Sequence, residues 1–379
     1  MTRIIQNNHF PVSARSLVEP FVQRFNTEHL DTELWVEDNP SHQSTLQTLH
    51  APIRLVASDL TLNPLALLRR VSAYRKQLRA AHPQVLHAHQ TRASLIPLLA
   101  AYMAKVPVRI YHNHGLPYLG YTGPMRSLLY TLEKINIALA THTLLVSHSN
   151  LAEAISDNLL PPGKGTVIKS GSVVGIDLEE YDLSKFNSAE ASKARQQFGI
   201  AEEAFVLGYV GRPVKRKGFH LLIEAWQMSG LAEKGNVLLI AGCSDSECQA
   251  VTGHAVPGVK GLGYLNGLTT FYAACDAVTL PSEHEGFPYS MLEGAAAGKP
   301  LIGTDIPGIR CTIRHGETGL LVPKGDRTAL CEAMRLFAED GEMRSRLGKN
   351  ARARVEAEFS RDIVLTGLLD FYQGIGITS

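Results

Sequence analysis

Apolar positions along the chain follow two rhythms. Short runs rich in Val, Ile, Leu and aromatic residues read as strands: RIIQ, TELWV, IRLVA, QVLHAH, VRIYH and TLLVS in the first half, FVLGYVG, VLLIAG, AVTLPS and PLIGT in the second. Between them, apolar residues recur at the spacing of one helix face, as at Phe219, Leu222, Ile223 and Trp226. Strands alternating with helices form parallel sheets covered on both faces, so the pattern predicts an α/β protein.

The rhythm weakens once. Pro and Gly cluster at Pro161 to Gly165, and a fresh strand–helix series begins near Ala204. A linker is expected at about residues 170–190, with a first domain over 1–180 and a second from 181. A chain of 379 residues exceeds what one core usually holds. No repeat of solenoid period is present, so the expected architecture is two doubly wound, Rossmann-like domains facing a cleft. Ligands of such sheets sit beyond the carboxyl ends of the strands, in the loops that enter helices.

Composition narrows the function. A formal net charge of +1 with 19% charged residues gives no basic surplus for nucleic acid. Five cysteines, odd in number and without a CxxC pair, suggest neither a disulfide framework nor a zinc site, and fit a reducing cytoplasm. The start MTRIIQNNHF has no leader pattern, and the apolar stretch LIPLLAAYMA is too short to span a bilayer. Neither G-x-G-x-x-G nor G-x-x-x-x-G-K-[ST] occurs, which argues against a nicotinamide site and a P-loop; G-x-S-x-G is absent too.

Two loops of the second half carry candidate chemistry. After strand FVLGYV come Gly211, Arg212 and the cations Lys215, Arg216 and Lys217. A rigid guanidinium fork and a mobile ammonium suit the two phosphates of a nucleotide diphosphate; a solvated basic loop is the plain alternative. After strand DAVTLPS comes EHEGFPYSMLE, with Glu285, Gly286 and Phe287 in the loop and Pro288 expected in the first turn of a helix. Free N–H groups and the positive dipole end of that helix attract phosphate. Glu293 lies about 8 Å along the axis at ~1.5 Å per residue. Carboxylates accept from paired hydroxyls, so one at the loop can hold sugar hydroxyls and one along the helix a ribose diol. Taken singly, each glutamate reads as an ordinary loop or surface acid.

The combination is more specific than its parts. VGRPVKRKG, the stretch from GLGYLNG to TDIPG, and GETGLLVP resemble the C-terminal domain of the family 4 glycosyltransferases, which have the GT-B fold. The family's E-x7-E pattern falls on Glu285 and Glu293 and its cationic pair on Arg212 and Lys217. The resemblance implies diphosphate contacts for Arg212 and Lys217, donor-sugar contact for Glu285, backbone contacts for Gly211, Gly286 and Phe287, and ribose contact for Glu293. It implies a nucleotide-sugar-binding domain over 181–359, and a last helix over 360–379 that crosses back to the first domain. It further implies transfer with retention from a nucleotide-diphosphate sugar, with UDP favoured, needing no metal or other cofactor. A sugar-nucleotide isomerase of the same fold and a non-catalytic nucleotide-sugar binder are the rival readings.

In the first half, His87 and His89 of QVLHAH lie on one strand face, and His112 and His114 follow in VRIYHNHG. A histidine at a strand end reads either as a hydrogen-bonded structural residue or as a catalyst. The pair His114–Gly115 resembles the family's cleft histidine, which implies contact with the transferred sugar or phosphate; His89 is the second candidate. HGLPY, LLYTLEKINIALATH and SGSVVGIDLEEYD resemble members that build bacterial surface polysaccharides, implying a glycan or polyprenyl-linked glycan acceptor. The first loop departs from the family, which often has Gly-Gly where this chain has Pro11 and Ser13, so Asn8, Pro11 and Ser13 are acceptor-side candidates. The basic helix LLRRVSAYRKQLRAAH fits either packing on its own sheet or peripheral contact with an anionic membrane face. Asp245 and Glu247 in CSDSEC read as a polar turn rather than a metal site.

Overall fold

The structure, a computed structural model, describes residues 2–8, 11–38, 43–57, 61 and 63–378. His9 and Phe10 of the expected acceptor-side loop lie outside these residues. The chain divides into two compact units, residues 1–175 with 362–379, and residues 176–361.

In the first unit the strands are β1 (Arg3–Asn8), β2 (Asp31–Glu37), β3 (Ile53–Val56), β4 (Val85–His89), β5 (Val108–Asn113), β6 (His142–Leu145) and β7 (Gly165–Thr166). They form one parallel sheet in the order β3-β2-β1-β4-β5-β6-β7. The chain reverses its direction of travel between β1 and β4, which makes the carboxyl ends of these two strands the switch point where such sheets bind ligands. Every residue of β4 is buried, as expected for a central parallel strand covered on both faces.

In the second unit β8 (Val206–Val210), β9 (Val237–Ala241), β10 (Cys243–Ser244), β11 (Val259–Gly263), β12 (Ala277–Leu280), β13 (Leu301–Thr304) and β14 (Gly319–Val322) form a second sheet, ordered β10-β11-β9-β8-β12-β13-β14. Only the β10–β11 pair is antiparallel. The switch point here lies between β8 and β12, at the two loops whose residues carry the candidate chemistry. The helix Phe219–Ser229 buries Phe219, Leu222, Ile223 and Trp226 as its periodicity predicts; each such side chain contributes roughly 1.5–3 kcal/mol.

The ten strands read from apolar runs all form, and four more appear among the described residues. β7 and β10 are two-residue segments, β11 (VKGLG) carries two glycines, and β14 is a short edge strand, so none has the β-branched density that marks a strand in sequence. The basic helix spans Pro64–Ala81 and starts ahead of Leu67, because Asn63 caps it by accepting from Leu65 N and Ala66 N. It packs Val71, Tyr74, Leu78 and Ala81 inward. CSDSEC is a helix start: Ser244 and Glu247 form a capping box, and Asp245 accepts from Gly261 N at 2.6 Å, so both acids are engaged by backbone and hydroxyl groups. All five cysteines are free thiols, with Cys243 and Cys248 Sγ in contact at 2.6 Å. No helix among the described residues is long and apolar enough to cross a membrane.

Candidate active site

In the second unit the loop after β8 winds through a short helical turn, Lys215–Lys217, before Gly218 starts the long helix. Tyr209, buried at the end of β8, holds this loop, its hydroxyl lying 3.1 Å from Arg212 O and 3.3 Å from Lys217 O. Glu283 N donates to Arg216 O at 2.9 Å, which ties the loop to the one after β12. The two loops then meet through side chains: Lys217 Nζ lies 2.6 Å from Glu285 Oε1, and Ser282 Oγ donates to the same oxygen at 2.7 Å. Glu285 is only 8% exposed, so its charge is held by these two donors rather than by water. Arg212 is exposed and makes no ion pair with a described residue.

Glycine shapes this corner at two places. Gly218 has φ +71°, and a Cβ there would lie 1.8 Å from the Pro281 carbonyl oxygen. Gly308 has φ +88°, and a Cβ there would lie 2.4 Å from the Gly286 carbonyl oxygen. Backbone from the loops after β8 and β13 therefore seats directly on the Pro281–Gly286 segment.

The helix following this segment runs Tyr289–Ala296, with Pro288 as its N-cap at φ −79°, ψ 107°. Pro288 thus sits one position earlier than expected, because its extended ψ places it just outside the helix. No side chain caps this end. Phe287 packs its ring on Phe359 at 5.7 Å. Glu293 receives a hydrogen bond from the Tyr272 hydroxyl at 2.9 Å. Burial pushes the Glu293 carboxyl up to about 7; the Tyr272 bond opposes this shift and the nearby Glu180 charge adds to it. Glu285 and Glu293 therefore occupy different settings, one paired with a cation and one with a phenol.

In the first unit, β4 and β5 bring four imidazoles together beside β1. His87 and His89 stack at 4.4 Å, His87 Nε2 lies 3.2 Å from His112 Nδ1, and His89 Nδ1 lies 3.0 Å from His114 Nε2. Gln6 of β1 and Tyr372 of the helix Arg361–Gly374 close the group, with His89 Nε2 2.9 Å from Gln6 Oε1 and His87 Nδ1 2.8 Å from the Tyr372 hydroxyl. Burial lowers every one of these imidazoles, His87 to about 3 and His114 to about 4, so all four are neutral at pH 7. Nitrogens of His87, His89 and His112 lie within 4.8 Å of one another, close enough for a metal ion, and they are engaged in the hydrogen bonds just named.

A second buried network sets the backbone after β5. Glu133, fully buried on the helix Gly123–Leu139, accepts from Tyr111 OH at 2.6 Å, Thr91 Oγ1 at 2.5 Å and Asn113 Nδ2 at 3.0 Å. Asn113 Oδ1 in turn accepts from Gly115 N at 2.8 Å, which fixes the His114–Gly115 turn. Burial raises the Glu133 carboxyl to about 7 against the pull of its three donors. Beyond β1, Ser13 Oγ lies 3.0 Å from Asn8 Oδ1 and 3.3 Å from Gln90 Nε2, while Pro11 is buried at the start of the helix Pro11–Leu17.

The structure thus joins Lys217 with Glu285, His89 with His114, and Asn8 with Ser13. Sequence reasoning passed over Gln6, Tyr372, Glu133, Ser282 and Tyr272. Ser282 stands three positions before Glu285, a short-range signal that was available; the others act across many residues and leave no local mark.

Comparisons with known proteins identify the family. Residues 190–354 match the family model for glycosyl transferases group 1, and residues 33–173 match glycosyltransferase family 4. The capsular polysaccharide biosynthesis glycosyltransferase CapM of Staphylococcus aureus is 32% identical over 314 residues, covering 81% of this chain and 80% of that one. The N,N'-diacetylbacillosaminyl-diphospho-undecaprenol alpha-1,3-N-acetylgalactosaminyltransferase of Campylobacter jejuni is 28% identical, covering 84% of each. The crystal structure of Anabaena HepE in complex with UDP and glucose superposes with a TM-score of 0.80 at 19% identity, over 99% of this chain and 100% of that one. Fold and sequence agree: the chain is a glycosyltransferase of family 4, with the GT-B fold.

Proposed function

We propose that this glycosyltransferase moves a sugar from a UDP-sugar to a glycan or polyprenyl-linked glycan acceptor, with retention at the anomeric carbon and without a metal ion. The observation that carries the reading is the Lys217–Glu285 pair, set beside the uncapped helix start at Pro288. Breaking the anomeric C–O bond builds positive charge on the sugar and negative charge on the departing diphosphate. Arg212, Lys217 and the helix N-terminus meet the leaving charge electrostatically, in the place of a divalent ion. Glu285 accepts from donor-sugar hydroxyls, Gly211, Gly286 and Phe287 line the diphosphate with backbone, and Glu293 accepts from the ribose diol. The acceptor oxygen forms the new bond, and its proton passes to a leaving phosphate oxygen, so no separate base is required.

His114 contacts the transferred sugar, with His89 behind it. Asn8, Pro11 and Ser13 belong to the acceptor side. The relatives' names, capsular polysaccharide biosynthesis in one and transfer to a diphospho-undecaprenol-linked sugar in the other, support a surface-glycan acceptor. Peripheral contact with an anionic membrane face fits the start of the helix Pro64–Ala81, where Leu65 and Leu68 are each 66% exposed beside Arg69. Failure to co-sediment with anionic vesicles at low salt would remove that part.

The test is thermal shift of the protein and of Glu293→Ala against UDP, GDP, ADP and their sugars, with EDTA present. Ligand at 100 times its dissociation constant adds about 2.7 kcal/mol. Stabilisation by UDP alone, lost in the variant, is the expected result; none with any nucleotide would overturn the donor site. Conversion of the donor without acceptor would favour the isomerase, and tight binding without turnover a binding protein.

A further inference from the structure

The hydrogen bonds around the four histidines run in one direction. Each neutral imidazole carries one N–H and one bare nitrogen, so fixing one member of a chain fixes the next. Gln6 donates through Nε2 to the Tyr372 hydroxyl at 3.2 Å and presents Oε1 to His89 Nε2 at 2.9 Å. His89 Nε2 therefore carries the hydrogen, and His89 Nδ1 is bare. His114 Nε2, 3.0 Å away, must then donate to it. On the other arm Tyr372 gives its own hydrogen to His87 Nδ1 at 2.8 Å, and His87 Nε2 donates to His112 Nδ1 at 3.2 Å. With the Gln6 amide oriented as here, this ordering satisfies all five contacts.

We infer that Gln6, His89 and Tyr372 are positioning residues that hold His114 as its Nε2–H tautomer, leaving Nδ1 as an acceptor only. An imidazole so held takes a hydrogen bond from a hydroxyl and has none to give to a phosphate oxygen. This rests on the reading that His114 contacts the transferred sugar, and it narrows that contact to a sugar hydroxyl. Burial, which keeps His114 neutral, removes the alternative of a doubly protonated ring. The opposite ordering requires the Gln6 amide to be turned over, with Nε2 against His89, and gives the opposite tautomer at His114.

The experiment is nitrogen-15 NMR of histidine-labelled protein, with the His114 signals identified by their loss in His114→Ala. It is repeated on Gln6→Leu and on Tyr372→Phe, the second retaining the ring and so guarding against loss of the fold. Expected is an Nε2–H pattern for His114 in the unaltered chain, shifting toward a mixture in both variants. Turnover, read as UDP release from a panel of UDP-sugars, should fall about tenfold in Gln6→Leu, mostly in kcat, with no further fall when Gln6→Leu is added to His114→Ala. An Nδ1–H pattern in the unaltered chain, an unmoved His114 signal in both variants, or losses that simply multiply would each overturn the inference. Normal turnover in His114→Ala would instead remove the sugar contact, and the spectra alone would then decide the tautomer relay.

Discussion

Lys217 and Glu285 stand at 2.6 Å in a corner that excludes most water, and each is the other's principal partner. Taking away one leaves the other charge exposed to a poor solvent, and also removes a group that the proposed function sets against the donor. Lys217→Ala and Glu285→Ala are each expected to lower kcat more than tenfold with the melting transition still cooperative; near-normal turnover in either would take that residue out of the site. Glu293 makes a different prediction. Burial raises its carboxyl to about 7 in the free protein, and in the proposed ribose contact only the ionised form offers both oxygens to a diol. UDP affinity should therefore fall as pH drops from 8 to 6. Tyr272→Phe removes the bond that favours the ionised form and should move the midpoint upward, which calorimetric titration across pH would read.

The elements follow from local rules to an uneven degree. Strands β1, β4, β8 and β12 were legible because buried parallel strands are short, dense apolar runs. With them came the strand ends near which Arg212, Lys217, Glu285 and His89 stand, while the strand order that makes those ends switch points did not. β11 was not legible, since Gly261 and Gly263 dilute it and pairing with β9 supplies what propensity does not. Nor was the partnership of Gln6 with Tyr372, separated by 366 positions and joined only by tertiary packing. The loops themselves are set by backbone contact at glycine. Gly218→Ala would place a methyl 1.8 Å from the Pro281 carbonyl in a left-handed conformation, and Gly308→Ala one at 2.4 Å from Gly286. Each should cost about 1–3 kcal/mol in urea unfolding and weaken UDP binding, because the segment that must move carries Glu285. Unchanged UDP affinity in both would show that the segment adapts without loss.

At the scale of the molecule, the first unit concentrates neutral histidine. His87, His89, His112 and His114 are all lowered below 6.5, so the unfolded chain takes up their protons first and stability drains away as pH falls through about 6.5. Glu133 and Glu293, both raised to about 7, work in the opposite sense, losing stability as pH rises from 4.5 toward 7. Four groups outweigh two, each contributing up to about 1.4 kcal/mol per pH unit. Urea midpoints should therefore drop steeply between pH 6.5 and 5, above the range where ordinary carboxylates act, and His87→Gln should show a shallower drop. A flat profile there would contradict the burial of these rings.

The interruption of the first unit by the second has a consequence for how the chain is made. A ribosome delivers residues 1–175 early, yet the segment 362–379 that belongs with them comes only after the whole second unit has emerged. Until then the Gln6 amide and the His87 ring lack the Tyr372 hydroxyl. The histidine cluster is thus finished last, and a chain that stops short of Tyr372 carries an incomplete cluster however well its second unit has folded.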